Sequence, residues 1–446
     1  MHGYRSRVPE ETNAAGGVAV QDRMAWLDGL RAVAVLLVVY AHLSRMLFRG
    51  ARDLSSEWLH AGTAGVMLFF LVSGYIIPAS LERHGSLRTF WVSRLCRLLP
   101  LYVVVSALVL ALGGAGLMPL DPALTADPLT AAVAHLTMLP QLLGVPLITP
   151  VLWTLTFEMA FYLLVGALFA LRLHRAGPPL AIVLAVAAVG AAPLAPKLLA
   201  ATPAAARELT LVVAAVLVLA LGAVASGRRP AVVAGAALLG GVAGLLLVAD
   251  QDPAHAWDGL LIIAVMLVGT ALHRADHGRI RWWQAGAVAA VVAAALLANW
   301  VAELASLGGL TPRYVTRSVL TLLVFAGAFA LGRLTRRRRT PRPLARLGLI
   351  SYSVYLVHYV LIELLRPVLT GLGDRLPVLA EVPVAAAYLG LVAGVSWLTY
   401  RFVELPGQRL GRRIARWLTA RWGSDARPVD LGVAQPPKRD LRAIAR

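Results

Sequence analysis

Apolar runs of about 20 residues recur along nearly the whole chain, and no other feature narrows its possible folds as much. A run of that length crosses a hydrocarbon core of roughly 30 Å as a helix. In lipid only helices and closed barrels satisfy their own backbone, and these runs are far longer than barrel strands. Of the 446 residues, 59% are hydrophobic and 15% charged, and the mean hydropathy is +0.73. A soluble domain carries closer to a quarter charged residues. The sequence therefore predicts an all-α, polytopic transmembrane protein of about 10–12 helices, embedded in the cell membrane as a multi-pass protein.

Twelve spans are expected, at roughly 26–48, 62–81, 98–117, 151–171, 179–195, 208–226, 231–249, 257–273, 283–301, 314–334, 346–366 and 384–402. The run 179–195 is the weakest, being short and holding Pro193, and the apolar stretch 131–143 is short enough to predict an interfacial or re-entrant piece. Orientation follows from Lys and Arg in the connecting segments. With the N-terminus inside, only six lie outside: Arg49, Arg52, Lys197, Arg207, Arg313 and Arg375. Both termini are thus expected in the cytoplasm. Residues 1–25 read as a cytoplasmic N-terminal segment, 26–406 as the membrane domain, and 407–446 as a basic, largely disordered cytoplasmic tail attracted to anionic headgroups. The first run is too long for a signal-peptide core and reads as a retained anchor.

The net charge of +19 would suggest nucleic acid in a soluble chain. Here the arginines follow the topology, so no nucleic-acid partner is expected. One cysteine, Cys96, excludes an internal disulfide and a thiolate metal cluster. No HExxH or comparable pattern occurs, and no metal is expected. The middle region, 179–301, is Ala, Val, Leu and Gly with almost no polar content inside its spans, and reads as scaffold.

Ionisable groups inside a membrane helix are costly and mark functional sites by default. Of 23 acids only Glu158 lies well within a span, and of ten histidines only His42 and His358 do. Measured from the outer ends of their expected spans, His42, Glu158 and His358 lie about 9, 10 and 12 Å deep at 1.5 Å per residue. A shared layer suggests that Glu158 accepts a hydrogen bond from His42, fixing its tautomer and raising its basicity. Separate packing roles on neighbouring helices remain the alternative. Arg31 and His42 fall on one helix face about 16 Å apart, too far to touch but placed to hold two ends of one long ligand. Asp28 is spaced to pair with Arg31, which otherwise reads as a snorkelling arginine. Arg94 and Arg97 share a face and suit phosphate groups, or simply mark the inner side. Ser351, Tyr355 and His358 share another face. Ser73-Gly74 sits mid-span, and Glu404 reads as an ion partner for inner arginines.

Six segments in order resemble the acyltransferase-3 family of membrane acyltransferases. They are Leu27-Asp28-Gly29-Leu30-Arg31-Ala32 with His42; Leu68-Phe69-Phe70-Leu71-Val72-Ser73-Gly74-Tyr75; Arg94 to Tyr102; Trp153 to Tyr162; Ile350 to His358; and Phe402 to Pro406. The family helix around Glu158 usually carries a second acid and a glutamine, where this chain has Met159 and Ala160. The resemblance implies an O-acyltransferase moving an acyl group, often acetyl, from acyl-CoA to a hydroxyl of a sugar, polysaccharide or glycosylated small molecule. It implies no bound cofactor, with acyl-CoA as co-substrate. Acyl-CoA would enter from the cytoplasm, its phosphates against Arg31, Arg94 and Arg97 and its thioester at His42. His42 would act as general base or as nucleophile, Glu158 would support it, and Ser73 or Tyr355 would donate to the oxyanion. Two rival classes remain: a proton-coupled transporter, against which no two similar halves are visible, and a catalytically silent relative.

Overall fold

A computed structural model describes residues 12–190, 197–250, 258–306, 308–309 and 311–425, and the side chains of these from 25 onward. All regular structure among them is helical. The helices are α1 (Thr12–Leu43), α2 (Arg49–Trp58), α3 (Ala61–His84), α4 (Leu87–Gly114), α5 (Pro122–Ala126), α6 (Pro128–Thr137), α7 (Trp153–Ala170), α8 (Gly177–Gly190) and α9 (Pro203–Ala225). Then follow α10 (Arg229–Ala249), α11 (Asp258–Asp276), α12 (Trp282–Ser306), α13 (Pro312–Leu334), α14 (Arg342–Leu349), α15 (Ser351–Arg375), α16 (Val378–Thr399) and α17 (Leu405–Trp422). Eleven stretches of these are long and apolar enough to cross a membrane, the last running from Val378 through to Trp422. The protein is a polytopic helical membrane protein.

The weak span expected at 179–195 is α8, at 14 residues shorter than any of those eleven stretches, and 191–196 lie outside the described residues. The stretch 131–143 divides between α6 and a single 3-10 turn, Pro140–Leu143. The first span is shorter than expected. α1 ends at Leu43, the chain turns through Ser44–Leu47, and Phe48 takes a left-handed conformation (φ 57°) before α2. This moves His42 from the interior of its span to the last turn of its helix.

α3, α7 and α11 form the centre, with most of their surface buried. α3 crosses α11 at backbone contact distance. A Cβ at Gly74 would overlap the Met266 carbonyl, and one at Gly269 would overlap the Leu71 carbonyl. Only glycine permits this approach, as small residues do at membrane-helix interfaces. Thr270 Oγ1 donates to the Gly74 carbonyl at 3.0 Å across the same crossing.

The segment expected to begin a disordered tail at 407 is helical as far as Trp422. α16 passes through a π-helical turn, Tyr400–Glu404, into α17. Gly407 and Gly411 lay α17 on α4 around Cys96 and Pro100. Arg88 holds its far end, donating from Nη1 to Leu418 O (3.4 Å) and Gly423 O (3.2 Å). Residues from 426 on lie outside the described ones. α11, expected as scaffold, is among the most buried helices.

Candidate active site

Two cavities follow one another along the same four helices, α1, α3, α7 and α15. The smaller, about 70 Å3, is lined from α1 by Arg31, from α3 by Phe69, Phe70 and Ser73, from α7 by Thr154, Leu155 and Glu158, and from α15 by Ser351, Tyr352 and Tyr355. Arg97 of α4 closes it. The larger, about 580 Å3, lies further along α1, against Val38 and His42, and nearer the start of α3, against Gly62, Thr63, Val66 and Met67, and it takes Trp153 and Phe157 from another side of α7. Val66 and Tyr355 stand in both walls. The one-face placement of Arg31 and His42 is realised, with each opening onto a different chamber.

His42 is half-buried in the wall of the large cavity. Its Nδ1 lies 2.9 Å from the Val38 carbonyl four residues earlier. A carbonyl only accepts, so Nδ1 carries the proton and Nε2 keeps its lone pair. The tautomer expected from Glu158 is set instead by the helix backbone. His358 repeats the pattern, with Nδ1 3.1 Å from the Val354 carbonyl. It is wholly buried, and its Nε2 has no hydrogen-bond partner. The two rings meet edge to face at 5.2 Å, and Tyr359 stands 5.3 Å from His42 on another side.

Glu158 does not bond to His42. It accepts a hydrogen bond from Tyr162 and lies in the small chamber with Arg31 and Arg97. The physical reason is the early end of α1: His42 sits one residue from the helix terminus, whereas Glu158 is five residues into α7. Their depths therefore differ. Arg94 stacks on the Phe90 and Tyr162 rings, 5.7 and 5.5 Å from their centroids, which places it beside the chamber through Tyr162. The Nε atoms of Arg94 and Arg97 are buried without hydrogen-bond partners. Asp28 and Arg31 attract each other through space without a direct contact between their charged groups. The backbone of Asp28 packs on Gly348 of α14, where a Cβ would overlap the Asp28 carbonyl.

Ser73 opens into the small chamber, but the Tyr355 hydroxyl is already engaged. It accepts from Thr154 Oγ1 at 2.9 Å and donates to Val151 O at 3.0 Å, so its proton is not free for an oxyanion. Glu404, expected to pair with arginines, is buried and accepts from Ser353 Oγ (3.0 Å) and Gln408 Nε2 (3.1 Å). It pins the π-helical turn to α15.

Several cavity residues had no place in the sequence reading. Asp258 and Trp300, from the region read as scaffold, and Glu303 just beyond it reach the large cavity from α11 and α12. Arg317 of α13 also lines it, with Nη1 donating to Ser56 O at 3.2 Å. Arg317 lies within an expected span, and counting intramembrane arginines along with acids and histidines would have found it. His60, exposed as a residue, turns its ring to the cavity, where burial and then the Arg317 charge push it down to about 4. His135 was also missed. It is buried in α6, takes the Tyr102 hydroxyl on Nδ1 at 2.8 Å and donates from Nε2 to Pro146 O at 3.2 Å. Burial pushes it down to about 4.

Comparison with known proteins gives the same family as the motifs. The family model described as an acyltransferase domain matches residues 24–401. A Staphylococcus aureus protein with a provisional O-acetyltransferase name is 38% identical over 92 residues, 19% of this chain and 13% of that one. Nodulation protein 10 of Rhizobium leguminosarum bv. viciae is 35% identical over 182 residues, 36% of this chain and 48% of its own. Acyltransferase MdmB of Streptomyces mycarofaciens is 31% identical over 151 residues, 32% of this chain and 38% of its own. The chain thus spans less than half the length of each of these relatives. No solved structure matches. With a family match covering most of its length and the ordered motifs lining two chambers of one helix bundle, the chain belongs to the acyltransferase-3 family of membrane proteins.

Proposed function

We propose that the protein is an integral membrane O-acyltransferase that moves an acyl group, acetyl in the simplest case, from acyl-CoA to a hydroxyl of a sugar, polysaccharide or glycosylated small molecule. The observation that carries this reading is His42, with Nδ1 held on a backbone carbonyl and Nε2 left with its lone pair at the wall of a 580 Å3 cavity. That volume is in the range of small-molecule sites. The acceptor occupies this cavity, against Trp153, Trp300 and Glu303. His42 Nε2 takes the proton of the acceptor hydroxyl as the oxygen attacks the thioester carbonyl. The tetrahedral intermediate collapses with cleavage of the C–S bond, CoA leaves as the thiolate, and the imidazolium returns its proton to it. A nucleophilic route through acyl-His42 uses the same lone pair.

The small chamber is the donor side. At about 70 Å3 it is too small for a nucleotide, so only the acyl-bearing end of the donor enters it. The phosphates rest outside, towards Arg94 and Arg97, with Arg31 at the chamber wall. The arginine-rich end of the bundle faces the cytoplasm in this reading, with the short α8 taken as a twelfth crossing so that both termini lie there, and the protein is in the cell membrane. The test uses the purified full chain with acetyl-CoA and a panel of sugars, reading free CoA thiol. Acceptor-dependent release with a matching gain of about 42 Da on the sugar, acetyl having replaced one hydroxyl hydrogen, is expected. No release with any donor or acceptor would remove the reading.

A further inference from the structure

The two chambers are distinct in this structure, and the larger of the two side chains they share is Tyr355. Arg31 and His42 mark opposite ends of the path, about 16 Å apart along α1. Between them, only Val66 and Tyr355 belong to both walls. Tyr355 is buried, with its ring centroid 6.0 Å from that of Phe69 and 5.9 Å from that of His358. Its hydroxyl is fastened to the start of α7 through Thr154 Oγ1 (2.9 Å) and the Val151 carbonyl (3.0 Å). Val151 itself lines the His42 cavity, and Thr154 lines the arginine chamber.

We propose that Tyr355 is a gate that seals the arginine chamber from the His42 cavity and swings aside only when an acyl arm passes between them. The proposal rests on the acyl-transfer reading for what passes through the gate, while the seal itself stands on the geometry. A seal is needed on two grounds. Joined end to end, the chambers would make one continuous cavity along four membrane helices, from the arginines to the last turn of α1, with Glu158, Ser73 and His42 on an otherwise largely apolar wall wide enough to hold water. Such a path conducts protons and small ions. It would also bring water to a bound thioester before the acceptor arrives. The fastening is suited to reversible opening. Thr154 Oγ1 also lies 3.2 Å from the Val151 carbonyl. When Tyr355 leaves, Thr154 donates to that carbonyl, so the carbonyl keeps a partner. Phe69 and His358 both pack against the ring.

The test separates the seal from the chemistry. The full chain is reconstituted in phospholipid vesicles holding a pH-sensitive dye, and proton entry is followed after an external pH jump, without any substrate. Tyr355→Ala is expected to raise the leak rate at least about tenfold over wild type. Tyr355→Phe keeps the ring but loses the hydroxyl fastening, and is expected to leak at an intermediate rate. A second measurement, acetyl-CoA hydrolysis without acceptor, is expected to rise several-fold in both variants. Vesicles with either variant as tight as wild type, where circular dichroism shows both folded, would overturn the gate. A leak increase with no acetyl-CoA turnover in any form of the protein would uphold the gate and remove the acyl-transfer reading instead.

Discussion

The rings of His42 and His358 meet edge to face at 5.2 Å, each with Nδ1 turned back to the carbonyl of the residue four places before it. The backbone thereby sets both tautomers, and His358 forms one side of the pocket that holds the His42 ring. On the proposed mechanism His358 is a positioning residue. His358→Ala removes that support, and kcat is expected to fall about tenfold with acceptor KM little changed, as follows from a small misplacement of the reacting group. His358→Phe restores the ring contact and removes the unpartnered Nε2. It should recover most of the rate. Failure of Phe to rescue, with the protein folded, would show that the nitrogen itself takes part.

Glu158 belongs with Arg31 and Arg97 rather than with His42. Glu158→Gln is therefore expected to change KM for acyl-CoA and to leave the acid limb of the pH–rate profile where it is. It also leaves two guanidiniums in a half-buried chamber without the carboxylate, which should cost up to about 3 kcal/mol, read as a lower thermal midpoint. A shift of the acid limb would place Glu158 back beside the histidine.

His135 gives stability a pH dependence. Burial holds it down at about 4, against an ordinary value of about 6.5 in the unfolded chain. Between these values the unfolded state binds more protons than the folded one, so stability rises with pH there. The contribution is complete above about pH 6.5 and is lost as the pH falls towards 4, amounting to about 3 kcal/mol at most. Thermal midpoints of wild type should fall across this window. His135→Phe should start lower, because it strands the Tyr102 hydroxyl, and should show a shallower fall.

The α3–α11 crossing has no room for side chains. Gly269→Val drives methyl groups into the Leu71 carbonyl and the Tyr75 amide, and is expected to abolish accumulation of folded protein in the membrane. Gly286→Ala, at a glycine with open space around it, serves as the control and should accumulate normally.

The spans could be read from the sequence because length and continuous apolarity are the only demands a bilayer makes of a lipid-facing helix. Where the chain leaves that regime, the reading was weaker. Apolar residues carry through the turn at Ser44–Phe48 as readily as through a helix, so the end of α1 was placed five residues late. That error put His42 and Glu158 in one layer. The grouping of Arg31 with His42 on one face survived, because periodicity within a helix does not depend on where the helix ends. α17 was missed because its five arginines read as tail, whereas Gly407 and Gly411 let it lie on α4 and Arg88 holds its end. The parts played by Trp300, Glu303 and Arg317 in the cavity depend on which helices are neighbours in space, and spacing along one chain does not carry that.

The central claim is that the Nε2 lone pair of His42 carries out the transfer. The most direct measurement is acceptor-dependent CoA release by His42→Ala and His42→Gln in the purified full chain, with folding checked by thermal midpoint. The account predicts a loss of at least about 100-fold in kcat for both variants. Near wild-type release by either folded variant would contradict it.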